Sequence, residues 1–271
     1  MQVVKASKSD KNEVTKFCMN TFSWGDYISE IWDYWYSEGN LFVIRENKSP
    51  VALSHASISK KDKQVWIEGI RVNPNFRRTG YASSLIQHSE KQARKNDCLS
   101  SLMLIETNNK TSLNLSQKLG YVIKETWNFF SLLPEKSKLA PLIEFAKTNT
   151  EIFDLMRSLD ILYVDSWRWY PLKDEQLLLL IENQQIIYSN DNNEYSVAVI
   201  TSSKHFAKTM IVTLLFGNDL GIKKLLDYSK HLANVQDFKR IQVLTKLNKI
   251  NDSHDITKKL SFYLMWKNLN D

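Results

Sequence analysis

Along the first half of the chain the apolar positions switch between a spacing of two and a spacing near 3.6, which reads as short strands alternating with amphipathic helices. QVVKAS is a short strand, and DKNEVTKFCMNTF follows as a helix with Asp10 as its N-cap and Val14, Phe17 and Cys18 on one face. The next stretch, SWGDYISEIWDYWYSEGN, is rich in aromatics, with Ile28, Ile31, Trp32 and Trp35 at the spacing of a buried helix face. LFVIRE, VALSHASISK and QVWIEGIRV then read as an antiparallel meander, its strands separated by the turns NKSP and KKDK. A helix from about Tyr81 to Lys95 carries Ala82, Leu85, Ile86 and Ala93 on one side. Strand SSLMLIET, helix TSLNLSQKLGY stopped at Gly120, and strand YVIKETWNFFSLL complete this half.

At PEKSKLAP two prolines bracket a charged stretch and the pattern changes, so a boundary is expected there, with domains over residues 1–133 and 134–271 and a linker and helix over about 134–160. LIEFAKTNTEIFDLMRSL reads as helical throughout. SWRWYPL, helix DEQLLLLIENQQ, strands EYSVAVITS and TMIVTLLFG, helix IKKLLDYSKHLANVQD, and strands RIQVLTKL and SFYLMWK follow. The strand, helix, strand order around GNDLGIKKLLDY echoes that around RRTGYASSLIQ, a hint of an old duplication.

Composition narrows the class. With 271 residues, 43% hydrophobic, the chain has enough apolar material for folded cores. Its longest apolar run, near Leu177 to Ile181, is too short to span a bilayer, and the polar start MQVVKASKSDKNE lacks an apolar signal core, so a cytoplasmic protein with no membrane partner is expected. Cys18 and Cys98 match no metal spacing and are expected to be reduced thiols, and the five histidines form no ligand pair, so no metal is expected. A net charge of +6, spread without a basic block, argues against nucleic acid as the partner.

The chemistry concentrates in IEGIRVNPNFRRTGYASSLIQHSE, where a strand runs through an Asn-Pro turn and one glycine straight into a helix. The N-terminus of a helix presents unpaired N–H groups and the positive end of the helix dipole, so this turn can cradle a phosphate. Gly80 permits a backbone conformation other residues avoid, Ala82 keeps the first turn open, and Arg77 and Arg78 add charge at the rim. The spacing fits neither GxGxxG nor GxxxxGK[ST], which excludes the common dinucleotide and nucleotide triphosphate loops.

The run Arg77, Arg78, Thr79, Gly80, Tyr81, Ala82, following a strand and opening a long helix, resembles the acyl-CoA motif of the GNAT superfamily of N-acetyltransferases. TNNKTSLNLSQKLGY further on resembles the family's second signature, and the match covers roughly residues 1–133. The resemblance implies an α/β fold with a mixed, mostly antiparallel, splayed sheet flanked by helices, and a second GNAT-like domain that lacks the Arg-x-x-Gly-x-Ala pattern and has lost acyl-CoA. It implies acetyl-CoA as cosubstrate, held by Ile70, Arg71 and Val72 of the splayed strand, by backbone amides of Arg78 to Ala82, and by Asn109 with Ser112 on the pantetheine arm.

An attacking amine must lose a proton, and Glu68 is the candidate base, with Asp26 a second acid on the acceptor side. Strand alternation puts Glu68, Ile70 and Val72 on one face. Glu68 can equally be a salt-bridged strand residue, and His55 reads as a satisfied strand histidine. The aromatic stretch occupies the family's acceptor side, so Trp24, Asp26 and Tyr27 are candidate substrate contacts, although core packing explains much of the same pattern. Where the family often has a general-acid Tyr, this chain has Ser116, a far weaker acid. The resulting expectation is an N-acetyltransferase acting on a primary amine of a small molecule or amino acid, as a monomer or homodimer. A peptide or protein amine as acceptor, or an acyl-CoA-binding module without catalysis, are the alternatives.

Overall fold

The computed structural model describes residues 2–21, 25–136, 142–251 and 255–270 of the chain. It divides into two compact units, one made of Met1–Glu125 with Tyr263–Asp271, the other of Thr126–Phe262. Each is a mixed, mainly antiparallel sheet with helices on its faces.

The first unit holds β1 (Val3–Lys5), α1 (Asp10–Cys18), α2 (Ile28–Glu38), β2 (Leu41–Glu46), β3 (Ser49–Ser59), β4 (Gln64–Val72), α3 (Tyr81–Arg94), β5 (Ser100–Glu106), α4 (Lys110–Lys118) and the start of β6 (Val122–Leu132). β1 to β4 are antiparallel neighbours and β4 pairs parallel with β5. One face is covered by α3, whose Tyr81, Leu85, Ile86 and Ala93 pack with Phe42, Val65 and Ile67; the other by α1 and α2, where Val14, Ile28, Trp32 and Trp35 pack with Val43 and Leu53. Asp10 is the first residue of α1 rather than its cap. It is buried, accepts from the Ser7 amide at 2.7 Å and pairs with Arg45 at 2.5 Å. The chain's last segment, from Tyr263, also belongs to this unit. Met265 and Leu269 join the α3 core, Lys267 pairs with buried Glu90 at 2.9 Å, and Leu269 donates its amide to the Leu99 carbonyl.

The second unit holds the rest of β6, β7 (Glu144–Phe145), α5 (Glu151–Ser158), β8 (Leu162–Asp165), β9 (Arg168–Pro171), α6 (Asp174–Glu182), β10 (Ile186–Asp191), β11 (Glu194–Ser202), β12 (Thr209–Phe216), α7 (Asp219–Val235), β13 (Arg240–Thr245) and the start of β14 (Thr257–Asn268). α7 covers one face of its sheet, and α5 and α6 the other. The helix expected over LIEFAKTNTEIFDLMRSL is confined to Glu151–Ser158, because Glu144 and Phe145 are taken as a short strand by Tyr188 and Ile187. The strand β10 was not expected. Asn192 and Asn193, both at positive φ between Asp191 and Glu194, form the two-residue turn that pairs it with β11. Trp167 and Trp169 stack edge-on with each other and with Phe129 and Trp127 in this unit's aromatic core.

Candidate acyl-CoA site

β4 is the element that positions the site. Its register with β3 runs without slip from Ser59↔Gln64 back to His55↔Glu68, then resumes at Leu53↔Arg71, so Gly69 and Ile70 together face Ser54 in a β-bulge. Gly69 has φ +64°, and a Cβ there would lie 2.4 Å from the Trp35 ring. A glycine is therefore demanded twice, by backbone conformation and by space. The bulge also changes which residues share a face. Ile70 and Val72 turn toward the α3 core, while Glu68 and Arg71 point to the side of α1 and α2. Simple alternation, which places Glu68 with Ile70 and Val72, is corrected by this one extra residue.

On its other edge β4 pairs with β5 only over Gln64–Trp66, and the two strands then part. Past Trp66 the backbone of β4, including Ile70, Arg71 and Val72, is not laddered to β5. A ligand can therefore take the place of a neighbouring strand there. The chain leaves β4 through a 3₁₀ turn at Pro74–Phe76, capped by Asn73, whose side chain accepts from the Asn75 amide at 3.1 Å.

Arg77, Arg78, Thr79 and Gly80 are exposed, with Arg78 at φ +64° and Gly80 at φ +87° as the residue before α3. Among the described residues, no protein acceptor takes the amides of Arg78 to Ser83; the first backbone donor of the helix is Ser84, to the Gly80 carbonyl at 3.0 Å. A Cβ at Gly80 would meet nothing within 4 Å, so the approach is open. The Arg77 guanidinium lies 3.4 Å from the Val72 carbonyl and the Thr79 hydroxyl donates to the Phe76 carbonyl, which fixes the turn. The Tyr81 side chain is buried and bonded to Glu46, so only its amide belongs to the cradle; Ala82 stays half-buried. Unpaired N–H groups, the positive helix end and flanking arginines fit a pyrophosphate, and the parted strand fits an amide-bearing arm: the residues present fit acyl-CoA.

The Glu68 side chain meets His55 across the β3–β4 ladder, its Oε1 2.9 Å from Nδ1. The other ring nitrogen lies 2.9 Å from the Gly39 carbonyl oxygen and 3.5 Å from Glu38. His55 is fully buried, and Trp35 stacks on it at 5.0 Å, 7° from parallel. Glu38, His55 and Glu68 thus place three metal-type donors within 4.8 Å of one another, but hydrogen bonds already engage both ring nitrogens. This pairing was legible in principle, since counting back from the KKDK turn sets His55 opposite Glu68.

Asp26 and Arg71 form a buried pair, with Arg71 Nε donating to Asp26 Oδ2 at 2.7 Å and Nη2 to Oδ1 at 3.3 Å. Asp26 also accepts from the Ile28 amide, so its carboxylate supports α2 rather than standing free. Arg71 lies over the Tyr27 ring at 5.2 Å and donates to the Ile70 carbonyl, so its side chain is committed within the unit and only its backbone can serve the cosubstrate. Burial pushes the Tyr27 hydroxyl pKa up against the pull of Arg71. Burial, followed by the charge of Asp26, raises the Cys18 thiol to about 12. Trp24 lies outside the described residues.

Asn109 caps α4, its Oδ1 accepting from the Ser112 amide at 3.1 Å, which leaves the side-chain NH₂ for a ligand. Ser116 is buried and donates its hydroxyl to the Leu113 carbonyl at 2.9 Å. Tyr121 is a core residue, 3.0 Å from Glu90 and 2.6 Å from Ser101.

In the second unit the corresponding features are closed. β12 and β13 stay paired over six residues, Thr209–Leu214 with Arg240–Thr245. At the start of α7 two amides have side-chain partners: Asn218 accepts from the Gly221 amide at 2.8 Å and donates its own amide to the Ser196 hydroxyl at 3.2 Å.

The acetyltransferase (GNAT) family model matches residues 12–121. No curated protein matches the chain. Among solved structures, a protein of Thermoplasma acidophilum assigned to the acetyltransferases superposes with a TM-score of 0.66 at 15% identity, over 99% of this chain and 100% of that one. A GCN5-related N-acetyltransferase from Sphaerobacter thermophilus gives 0.64 at 11% identity, over 99% and 95%. A tandem GNAT protein from the clavulanic acid biosynthesis pathway gives 0.54 at 9%, over 99% and 98%. At such identities these likenesses concern the fold. Residues 12–121 match the acetyltransferase (GNAT) family model, a family whose reaction is acyl transfer from acyl-CoA, and the chain shares its fold with solved acetyltransferases that include a tandem GNAT protein.

Proposed function

We propose that the first unit transfers an acetyl group from acetyl-CoA to a primary amine of a small molecule or amino acid, directly and without a covalent enzyme intermediate. The observation that carries this reading is the parting of β4 from β5 after Trp66, followed by an α3 whose first turn has no protein acceptors for its amides among the described residues. Acetyl-CoA supplies the activated thioester. In this chain, Arg78 to Ala82 bind the pyrophosphate, the β4 backbone and Asn109 orient the arm, and an amide near Val72 faces the developing oxyanion. Glu68, on the α1 and α2 side of β4, takes the proton from the amine. Asp26 and Arg71 shape the acceptor side as a neutralised pair. The second unit is a degenerate GNAT-like domain that does not bind acyl-CoA, which its continuous β12–β13 ladder and side-chain-capped α7 support.

The test is calorimetric titration of acetyl-CoA into the wild type and into Gly80→Trp, which fills the open space before α3. Micromolar binding in the wild type and its loss in the variant is the expected result, followed by thiol release with tryptamine, lysine and spermidine that drops at least tenfold in Glu68→Gln. No binding to the wild type refutes the reading. One observation favours a second reading, an acyl-CoA-binding module without turnover: the Ser116 hydroxyl donates to the Leu113 carbonyl. Binding without thiol release for any amine would select it.

A further inference from the structure

The base assigned above must be ionised to work, yet Glu68 is only 11% exposed, and burial favours a protonated carboxyl. This inference rests on that assignment and concerns what keeps Glu68 charged. The two ring nitrogens of His55 each lie 2.9 Å from an oxygen, Glu68 Oε1 on one side and the Gly39 carbonyl on the other. A carbonyl oxygen can only accept, and so can an ionised carboxylate. A neutral imidazole has one N–H and one lone pair. It would therefore leave one of these buried contacts as two acceptors facing each other, an arrangement that burial penalises. The geometry calls for one further proton on the pair.

That proton can sit on the ring or on Glu68. The neighbours decide between them. Glu38, from the end of α2, lies 3.5 Å from Nε2 and is itself held by the Ser57 hydroxyl at 2.9 Å, so two carboxylates flank the ring. Trp35 stacks on its face, an arrangement that suits a cation. On the Glu68 side, among the described residues, Tyr27, Arg71 and Asp26 are further charged or titratable groups, and the last two pair with each other. We propose that His55 carries a proton on both nitrogens in the folded protein and acts as a positioning residue, holding the Glu68 carboxylate ionised and oriented for the acceptor amine. On proton transfer the amine nitrogen gives one proton to Glu68, whose charge is neutralised, and His55 keeps both of its own.

The experiment is a long-range ¹H–¹⁵N correlation spectrum of the full chain labelled at its five histidines, at pH 7.5, where an ordinary imidazole near 6.5 is about nine-tenths neutral. His55→Gln assigns the signal; should that variant not fold, contacts with the Trp35 ring assign it in the wild type. The expected result is two protonated-type nitrogens for His55, changing to a single-proton ring in Glu68→Gln, whose amide can donate to Nδ1. A singly protonated ring in the wild type, or a doubly protonated one that survives Glu68→Gln, overturns the proposal. The spectrum needs no turnover. Failure to bind acetyl-CoA would sink the enzymatic reading with the ring's state still measured, whereas binding together with a neutral ring would sink this proposal alone.

Discussion

Gly69→Ala is the sharpest test of the β4 architecture. An alanine at φ +64° costs about 1–2 kcal/mol for left-handed backbone. Its Cβ would also sit 2.4 Å from Trp35 Cη2 and Cζ3, in a wall where Trp35 is fully buried and stacked on His55, so the ring cannot simply swing away. Overpacking of that kind costs a further ~1–3 kcal/mol, for a total of about 2–5 kcal/mol. Gly120→Ala is the matched control, since it has φ +89° but its nearest neighbour is Lys267 Cε at 3.6 Å, an ordinary contact. It should cost the backbone term alone, about 1–2 kcal/mol. Because the chain has two units, the readout is hydrogen exchange of β3 and β4 amides, which reports the first unit by itself. In material that remains folded, acetyl-CoA affinity should fall at least tenfold in Gly69→Ala, because losing the bulge turns the β4 backbone away. Equal destabilisation by the two substitutions would refute the reasoning, since it would mean that Trp35 offers no resistance.

Arg71→Gln leaves the buried Asp26 carboxylate without its partner and is expected to destabilise the first unit by about 3–5 kcal/mol in the same exchange experiment, with loss below 1 kcal/mol contradicting the pair's role. Lys267→Met removes the cation that faces Glu90 from the last segment of the chain; about 2–4 kcal/mol should be lost from the first unit, and none from α7 and β12 of the second. Cys18, raised to about 12 by burial and then Asp26, and Cys98, raised by burial and then Asp97, are both protonated at pH 8. Neither should react with iodoacetamide in the folded protein, while both should in urea; rapid labelling of native Cys18 would show that its surroundings are open.

Much of the fold was written into local pattern. Period-3.6 stretches marked most helices because each buries one face against a sheet, whereas central strands such as β2 bury both faces and read as continuous apolar runs. The turn before α3 was legible because its signal is local: a glycine and two arginines at a helix mouth need no distant partner to define them. The roles of acidic and hydroxyl groups were less accessible. Asp26 carries the same sequence signal whether or not it pairs with Arg71, and only the tertiary structure brings those two side chains together. Ser116 likewise looks available in one dimension and is spent on the Leu113 carbonyl in three.

What the sequence alone determined is therefore most of the elements, the glycine turn that opens α3 and the resemblance that names a ligand class, all properties of contiguous residues. Tertiary structure decided the rest. It inserted one extra residue at Gly69, which reversed the facing of every β4 side chain beyond it and put Glu68 beside Arg71 rather than Ile70. It also brought Tyr263–Asp271 back to complete the first unit, across a gap in sequence that no periodicity records. The physical reason is the same in both cases. A strand's register and its partner are fixed by burial and hydrogen bonding summed over a whole sheet, and a single chain position carries no trace of that sum.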